Sequence, residues 1–135
     1  MSSVNNTKLI EIPKVHDERG SLAVIEQDVL PFEIKRVYYL FDVPSDSYRG
    51  GHAHKEQQSI IIALSGSFEV IVDDGNTRKR IMLNKPTQGL FISINVWREI
   101  DNFSSGAVCL VLASTNYNEG EYIRDYKDFK TYVTG

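Results

Sequence analysis

Cysteine is almost absent from this chain of 135 residues. The single one, Cys109, lies in the apolar run Ala107-Val108-Cys109-Leu110-Val111-Leu112-Ala113, where a thiol is buried and inert rather than nucleophilic, and no disulfide framework can form within one chain. Long hydrophobic runs are missing as well: none approaches the length needed to span a membrane. The N-terminal Met1-Ser2-Ser3-Val4-Asn5-Asn6 has neither the charged nor the apolar region of a signal peptide, and reads as a polar tail that frays. A cytoplasmic protein without a membrane partner is expected. There is no surplus of positive charge, since 15 basic residues face 18 acidic ones for a formal charge of -3. That balance excludes a general nucleic-acid surface, so any anion must be held locally. Internal repeats and low-complexity segments are also lacking.

What is present is one domain, residues 1–135, with 41% hydrophobic residues, enough for a real core and too few for two. Short apolar stretches punctuated by turn residues run through most of it. Strands are expected at Lys8 to Ile12 (closed by Pro13), Ser21 to Ile25 and within Pro31 to Phe41, with His16-Asp17-Glu18-Arg19-Gly20 as a charged turn. Further strands are expected at Ser59 to Leu64, Phe68 to Val72, Arg80 to Leu83, Leu90 to Ile94, Trp97 to Ile100 and Ala107 to Ser114. The Asp-Gly pair in Asp73-Asp74-Gly75-Asn76 marks a hairpin. In Ile34-Lys35-Arg36-Val37-Tyr38-Tyr39-Leu40, alternation opposes Ile34, Arg36, Tyr38 and Leu40 to Lys35, Val37 and Tyr39. Neither face is cleanly apolar, which suits a strand lining a wet cavity as well as one partly exposed to solvent. So many short strands predict an all-β sandwich or barrel. Only Glu121 to Thr134 departs, with Tyr122, Ile123, Tyr126, Phe129 and Val133 at the spacing of one amphipathic helix.

Chemistry is concentrated in Arg49-Gly50-Gly51-His52-Ala53-His54-Lys55. On a strand, the period of two puts His52 and His54 on one face and Ala53 on the other. An H-x-H strand in a small β-barrel resembles the first motif of the cupin, or double-stranded β-helix, superfamily. Its metal-binding members add a glutamate soon afterwards and a third histidine on a later strand. Here Gln58 and Ser59 stand in place of the glutamate, Glu56 comes too early, and Val96-Trp97-Arg98-Glu99 offers a cation where the third imidazole would be. Two imidazoles beside a guanidinium make a poor metal site, so no metal or other cofactor is expected. Proton transfer near neutral pH is the remaining strength of the pair. Arg19, Arg36, Arg49 and Arg98 supply forks suited to a diphosphate, whereas His16 reads as a solvated side chain in its turn.

Several stretches together resemble the dTDP-sugar 3,4-ketoisomerases. They are Ile34-Lys35-Arg36-Val37-Tyr38-Tyr39, the histidine stretch, Leu64-Ser65-Gly66-Ser67, Val72-Asp73-Asp74-Gly75, Val96-Trp97-Arg98-Glu99, Val111-Leu112-Ala113-Ser114, and Tyr122-Ile123-Arg124 with Tyr126. The similarity keeps order and spacing from about Ile10 to the C-terminal segment. It implies a metal-free cupin-fold homodimer that converts dTDP-4-keto-6-deoxy-D-glucose into a 3-keto-6-deoxyhexose. The product would pass to a PLP-dependent aminotransferase making 3-amino sugars for surface polysaccharide. His52 and His54 inherit the place facing the sugar, with His52 nearer the chemistry and therefore the preferred base. Tyr38 is a candidate hydroxyl relay, and Arg36 and Arg49 are the chosen phosphate contacts. Members forming the galacto epimer resemble this chain at Arg19 but carry histidine for Arg98. Members forming the gluco epimer carry tyrosine for Arg19 but resemble it at Arg98.

Moving a carbonyl from C4 to C3 removes the acidic C3 proton, passes through an enediol or enediolate, and returns a proton to C4. One imidazole can act as base while the other stabilises charge on oxygen. A dTDP-sugar 3,5-epimerase and a non-catalytic sugar-nucleotide-binding module are the alternatives. The continuous match argues against the first, and the paired imidazoles against the second. Given the missing glutamate and Arg98, activity should survive exhaustive chelation. Loss on chelation with recovery on adding back one defined metal would contradict this.

Overall fold

The structure, a computed structural model, describes residues 4–135. The remainder of the tail expected to fray, residues 1–3, lies outside the described residues. Among the described residues twelve strands follow one another before a single α-helix. They are β1 (Lys8–Glu11), β2 (Lys14–Asp17), β3 (Gly20–Ala23), β4 (Arg36–Leu40), β5 (Arg49–His54), β6 (Ser59–Ser65), β7 (Phe68–Asp73), β8 (Arg78–Leu83), β9 (Gln88–Ile92), β10 (Trp97–Asp101), β11 (Val108–Ala113) and β12 (Tyr122–Ile123). The helix is α1 (Tyr126–Thr134). Two five-stranded antiparallel sheets, ordered β1-β9-β6-β11-β4 and β12-β5-β10-β7-β8, enclose the core. This is the all-β, cupin-type barrel with a C-terminal helix that the sequence predicts.

Alternation decides what points inward. On β6, Ile61 and Ala63 enter the interior while Ile60 and Ile62 pack on the outside of their sheet. The interior is dry at one end, where Phe68, Val70, Leu83, Leu90, Phe103, Cys109 and Val111 meet. The outer face of the first sheet is covered by the segment carrying Ile25, Val29, Leu30, Phe32 and Ile34. Cys109 is buried in the interior, and burial lifts its thiol pKa to about 12, in keeping with an inert side chain. Gly66, at φ +67°, turns β6 into β7; a Cβ there would sit 2.4 Å from Ser104 Oγ and 3.0 Å from the Ala107 backbone. The expected Asp-Gly hairpin joins β7 to β8, with Gly75 at φ +93°.

Three elements differ from expectation. Val4, expected in a fraying tail, begins a 3-10 turn (Val4–Asn6), is fully buried among the interior side chains, and its N–H donates to Asp74 Oδ2 at 3.0 Å. The charged segment 16–20 is a hairpin of its own: β2 pairs with β3, so His16 lies on a strand and its Nδ1 is 2.6 Å from Ser21 Oγ. Its second strand is the one expected from Ser21, begun one residue earlier, and only β2, exposed along its whole length, is unexpected. The helix starts at Tyr126 rather than Glu121, because Asp125 caps it by accepting the Asp128 N–H. Tyr122 and Ile123 form β12 against β5, Tyr122 opposite His54 and Ile123 opposite Ala53. A spacing that suits one helical stripe suited a strand and a helix in series equally well. Other strand ends move by one or two residues, as hydrogen-bonding limits usually do.

The helix closes the outside of the barrel. Phe129, fully buried, sits with Trp97, Ala53 and Ile123, so the outward face of β5 is sealed and its inward face is left to the histidines. On β4 the reverse holds. Arg36, Tyr38 and Leu40 turn inward, while Val37 and Tyr39, followed by Phe41, stand more than half exposed on the outside at 53%, 60% and 61%. No helix among the described residues is long and apolar enough to cross a membrane.

Candidate active site

Beyond the dry layer the barrel interior becomes polar. β5 delivers His52 and His54, β10 delivers Arg98 directly opposite His52, β6 begins with Ser59, and β4 delivers Arg36 and Tyr38. β12 supplies Tyr122 opposite His54, and the 3-10 turn before it (Glu119–Glu121) ends in the buried carboxylate of Glu121.

His54 has no solvent access, so both ring nitrogens must be satisfied internally. Its Nδ1 meets Glu121 Oε2. Glu121 is fixed in turn, because its Oε1 accepts the backbone N–H groups of Glu56 and Gln57 at 3.0 and 3.1 Å. On the other side, His54 Nε2 lies 3.0 Å from His52 Nε2 and 3.3 Å from Gln57 Nε2. The Gln57 amide is oriented by Thr115, whose hydroxyl donates to its Oε1 at 3.2 Å, and its nitrogen also donates to Ser59 Oγ at 3.0 Å. The two imidazoles meet edge to face with ring centres 4.7 Å apart, and the Tyr122 ring lies 5.1 Å from His52 and 4.4 Å from His54.

The charges around this pair are fixed. Arg98 is fully buried, and burial lowers its pKa only to about 10, so it stays cationic at neutral pH. Its guanidinium donates to the Val96 carbonyl at 3.2 and 3.4 Å and reaches Ser59 Oγ at 3.5 Å. Arg36 donates to the Tyr122 hydroxyl at 3.1 Å and stacks over the Tyr38 ring at 4.6 Å. Burial raises the Tyr38 phenol above its usual pKa against the pull of Arg98 and Arg36, which keeps it a neutral hydroxyl. For His54, burial first and then the positive charges of Arg98, Arg36 and Arg124 depress the imidazole from 6.5 to about 2. It is therefore neutral, with its one proton on Nδ1 toward Glu121 and a lone pair on Nε2. The Nε2–H of His52 donates into that lone pair, which puts the lone pair of a neutral His52 on Nδ1.

Of the residues singled out from sequence, the fold thus gathers His52, His54, Arg36, Tyr38 and Arg98. Arg49 is exposed at the start of β5, opposite Ile100. Arg19 stands at the hairpin turn with its side chain 87% exposed, held only by Asp17 at 2.8 Å. That hairpin leaves the first sheet at Glu11, which pairs with Gln88, whereas the polar end opens where Ser59 pairs with Ile92. Glu121, Tyr122, Gln57, Ser59 and Thr115 are additional. Sequence spacing carries no signal for Glu121; only the pairing of β12 with β5 brings it to His54. Among the described residues no group of three histidine, cysteine, aspartate or glutamate side chains is arranged to hold a metal ion.

A small barrel with one dry end and one end lined by imidazole, guanidinium and phenol groups defines a cupin-type protein with a polar pocket at one end. Residues 5–134 match the family model described as FdtA: WxcM-like, C-terminal, and the chain belongs to that family. It is 47% identical over 127 residues, 93% of this chain and 91% of the relative, to the TDP-4-oxo-6-deoxy-alpha-D-glucose-3,4-oxoisomerase of Aneurinibacillus thermoaerophilus. A 3,4-ketoisomerase from Helicobacter canadensis superposes with a TM-score of 0.93 at 49% identity, covering 96% of this chain and 98% of that one. The sugar 3,4-ketoisomerase QdtA from Thermoanaerobacterium thermosaccharolyticum, solved in complex with TDP, gives 0.94 at 40% identity, covering 98% and 97%. These relatives are enzymes, and the resemblance read from the motifs is a family membership.

The neutral, buried state of His54 makes stability pH-dependent. An unfolded His54 takes up a proton as pH falls through 6.5, and the folded one does not until about 2. Stability should therefore fall by about 1.4 kcal/mol per pH unit below 6.5 from this group, roughly 2 kcal/mol by pH 5. Melting curves across that range should show the slope, and His54→Asn should flatten it. Equal slopes in the two proteins would mean that His54 accepts a proton without unfolding.

Proposed function

We propose that this chain is a TDP-sugar 3,4-ketoisomerase acting on TDP-4-keto-6-deoxy-D-glucose, by proton transfer through an enediol, without metal. The observation that carries this is the hydrogen-bonded His52–His54 pair inside the polar end of the barrel, flanked by the buried cation of Arg98. His52 is the base. It is partly open where His54 is sealed, and its neutral form carries its lone pair on Nδ1 when Nε2–H donates to His54. It takes the proton from C3 and the electrons shift to the C4 oxygen; the O3 proton then passes to that oxygen, and the proton returned to C4 leaves a carbonyl at C3 and a hydroxyl at C4. Arg98 and the Tyr38 hydroxyl are suited to hold the developing enediolate oxygens. Arg36 is suited to the diphosphate as an aromatic-flanked fork, and Arg49 would contact it from the strand's exposed start. The family's membership, and relatives whose names describe this reaction, support the reading. By the same resemblance the product would feed an aminotransferase making 3-amino-3,6-dideoxy sugars for surface polysaccharide, inside the cytoplasm.

The working form is a homodimer. Val37, Tyr39 and Phe41 on the outside of β4, with Val15 and Leu22 at 60% and 62% exposure on the β2–β3 hairpin, leave more apolar surface than a small monomer usually shows. A substrate role for Arg19 requires the hairpin of one copy to lie against the barrel of another. Light scattering at micromolar concentration should give twice the mass of one 15.3 kDa chain, and a single-chain mass would contradict the dimer.

In D₂O, wild-type protein should exchange the C3 proton of TDP-4-keto-6-deoxy-D-glucose and form the 3-keto isomer, followed by proton NMR. Exchange at C5 instead would indicate a 3,5-epimerase, and no exchange a binding module. His52→Asn should lose ~10²- to 10⁴-fold in turnover while still binding TDP. His54→Asn should lose product formation while retaining part of the exchange. Wild-type exchange in His52→Asn together with none in His54→Asn would move the base to His54.

A further inference from the structure

We propose that Glu121 is a positioning residue for the reaction: it fixes the tautomer of His54 and, through His54, makes His52 the base. Glu121, His54 and His52 stand in one line of hydrogen bonds from a buried carboxylate to the open imidazole. The inference rests on the ketoisomerase reading.

Each link constrains the next. Glu121 is 4% exposed and cannot rotate away, since its Oε1 is held by two backbone N–H groups from the turn following β5. Its Oε2 is thereby committed to His54 Nδ1 as an acceptor. His54 must carry its proton there, which makes Nε2 an acceptor, and the Gln57 amide, itself oriented by Thr115, donates to the same nitrogen. His52 must then place a proton on Nε2 and its lone pair on Nδ1. When His52 takes up the substrate proton it becomes an imidazolium whose Nε2–H points at a neutral imidazole backed by a carboxylate. The charge formed on His52 is stabilised along the line, and no proton need move beyond it. The logic is that of an acid–base triad, in which a buried carboxylate sets a histidine's tautomer and orientation without itself being protonated.

An amide of the same shape inverts the line. In Glu121→Gln the oxygen is retained by the Glu56 and Gln57 N–H groups, so the NH₂ occupies the position facing His54 Nδ1. It donates where the carboxylate accepted. His54 shifts its proton to Nε2, His52 must become the acceptor at its own Nε2, and its lone pair leaves Nδ1.

Two measurements test this. In the wild-type protein without substrate, long-range proton–nitrogen NMR of the histidine rings should show His54 as the neutral Nδ1–H tautomer, and Glu121→Gln should show the Nε2–H form. In turnover, Glu121→Gln should lose at least ~10²-fold in kcat, toward the ~10⁴-fold that tautomer inversion costs in a triad, with KM and TDP affinity within about threefold of wild type. An Nε2–H tautomer of His54 in the wild type overturns the proposal, and this arm needs no variant to fold. A Glu121→Gln enzyme with wild-type kcat overturns it too. So does one that loses TDP binding and melting temperature together with kcat, since that is the signature of a merely structural carboxylate. Should wild-type protein fail to isomerise the sugar at all, the ketoisomerase reading falls, while the tautomer comparison still reports on Glu121.

Discussion

An imidazole sealed from water must find partners for both nitrogens within the protein, and the polar end of this barrel is arranged around that requirement at His54. Its Nδ1 needs an acceptor, which arrives only because β12 pairs with β5 and sets Glu121 beneath it. Its Nε2 needs a donor, and His52 and Gln57 both serve. A buried polar group left unpaired costs about 1–3 kcal/mol, and a buried carboxylate more, so these contacts stand or fall together. The two backbone N–H groups on Glu121 matter for the same reason: they keep a charge in the interior from being an isolated one.

The dry end and the helix make such an arrangement affordable in stability and rigid in geometry. Ile61, Val70, Leu83, Leu90 and Phe103 lose their apolar surface to one another, at roughly 25 cal/mol per Å² removed from water. Outside β5, Ala53 is pinned between Trp97, Ile123 and Phe129. A strand held from behind at Ala53 cannot twist, and the residues on either side of it, His52 and His54, are therefore fixed in register with Arg98 and Tyr122. Packing on one face of the strand is what gives the other face its precision.

Much of this was legible beforehand, and for identifiable reasons. Strand periodicity placed His52 and His54 on one face and put Arg36 and Tyr38 together on another, since a period of two leaves little freedom. The Asp-Gly turn and the apolar runs of β6, β7, β9 and β11 were equally plain. Glu121 was not, because a buried acid and a helix-starting acid look alike in sequence and only a contact 67 residues away distinguishes them. The strand Tyr122–Ile123 was absorbed into the helix by a spacing compatible with both. Of the β2–β3 hairpin, β3 is legible as the strand expected from Ser21, whereas β2 is not, because it is exposed on both faces and so lacks the hydrophobic alternation that would reveal it. Arg19 and Arg49 group with Arg36 and Arg98 because each lies on or beside a segment that a barrel could turn toward the histidines, and sequence alone does not say which guanidinium the fold turns inward.

That separation of the arginines bears on the stereochemistry at C4. Arg98 lies opposite His52 on the neighbouring strand, so it flanks that imidazole within a single chain. Arg19 lies on an arm that departs from the far end of the first sheet, bonded only to a residue of its own turn. In the homodimer proposed above, the two positions that differ between gluco- and galacto-forming members would act on one sugar from two chains. Arg98 would govern what surrounds the imidazole, and Arg19 what closes over the sugar from outside. A chain carrying both arginines would then not set two templates against each other, because each side chain would answer to a different surface of the same pocket. On that reading the face of C4 that receives the proton would follow from both arginines together, Arg98 beside the imidazole and Arg19 from across the interface.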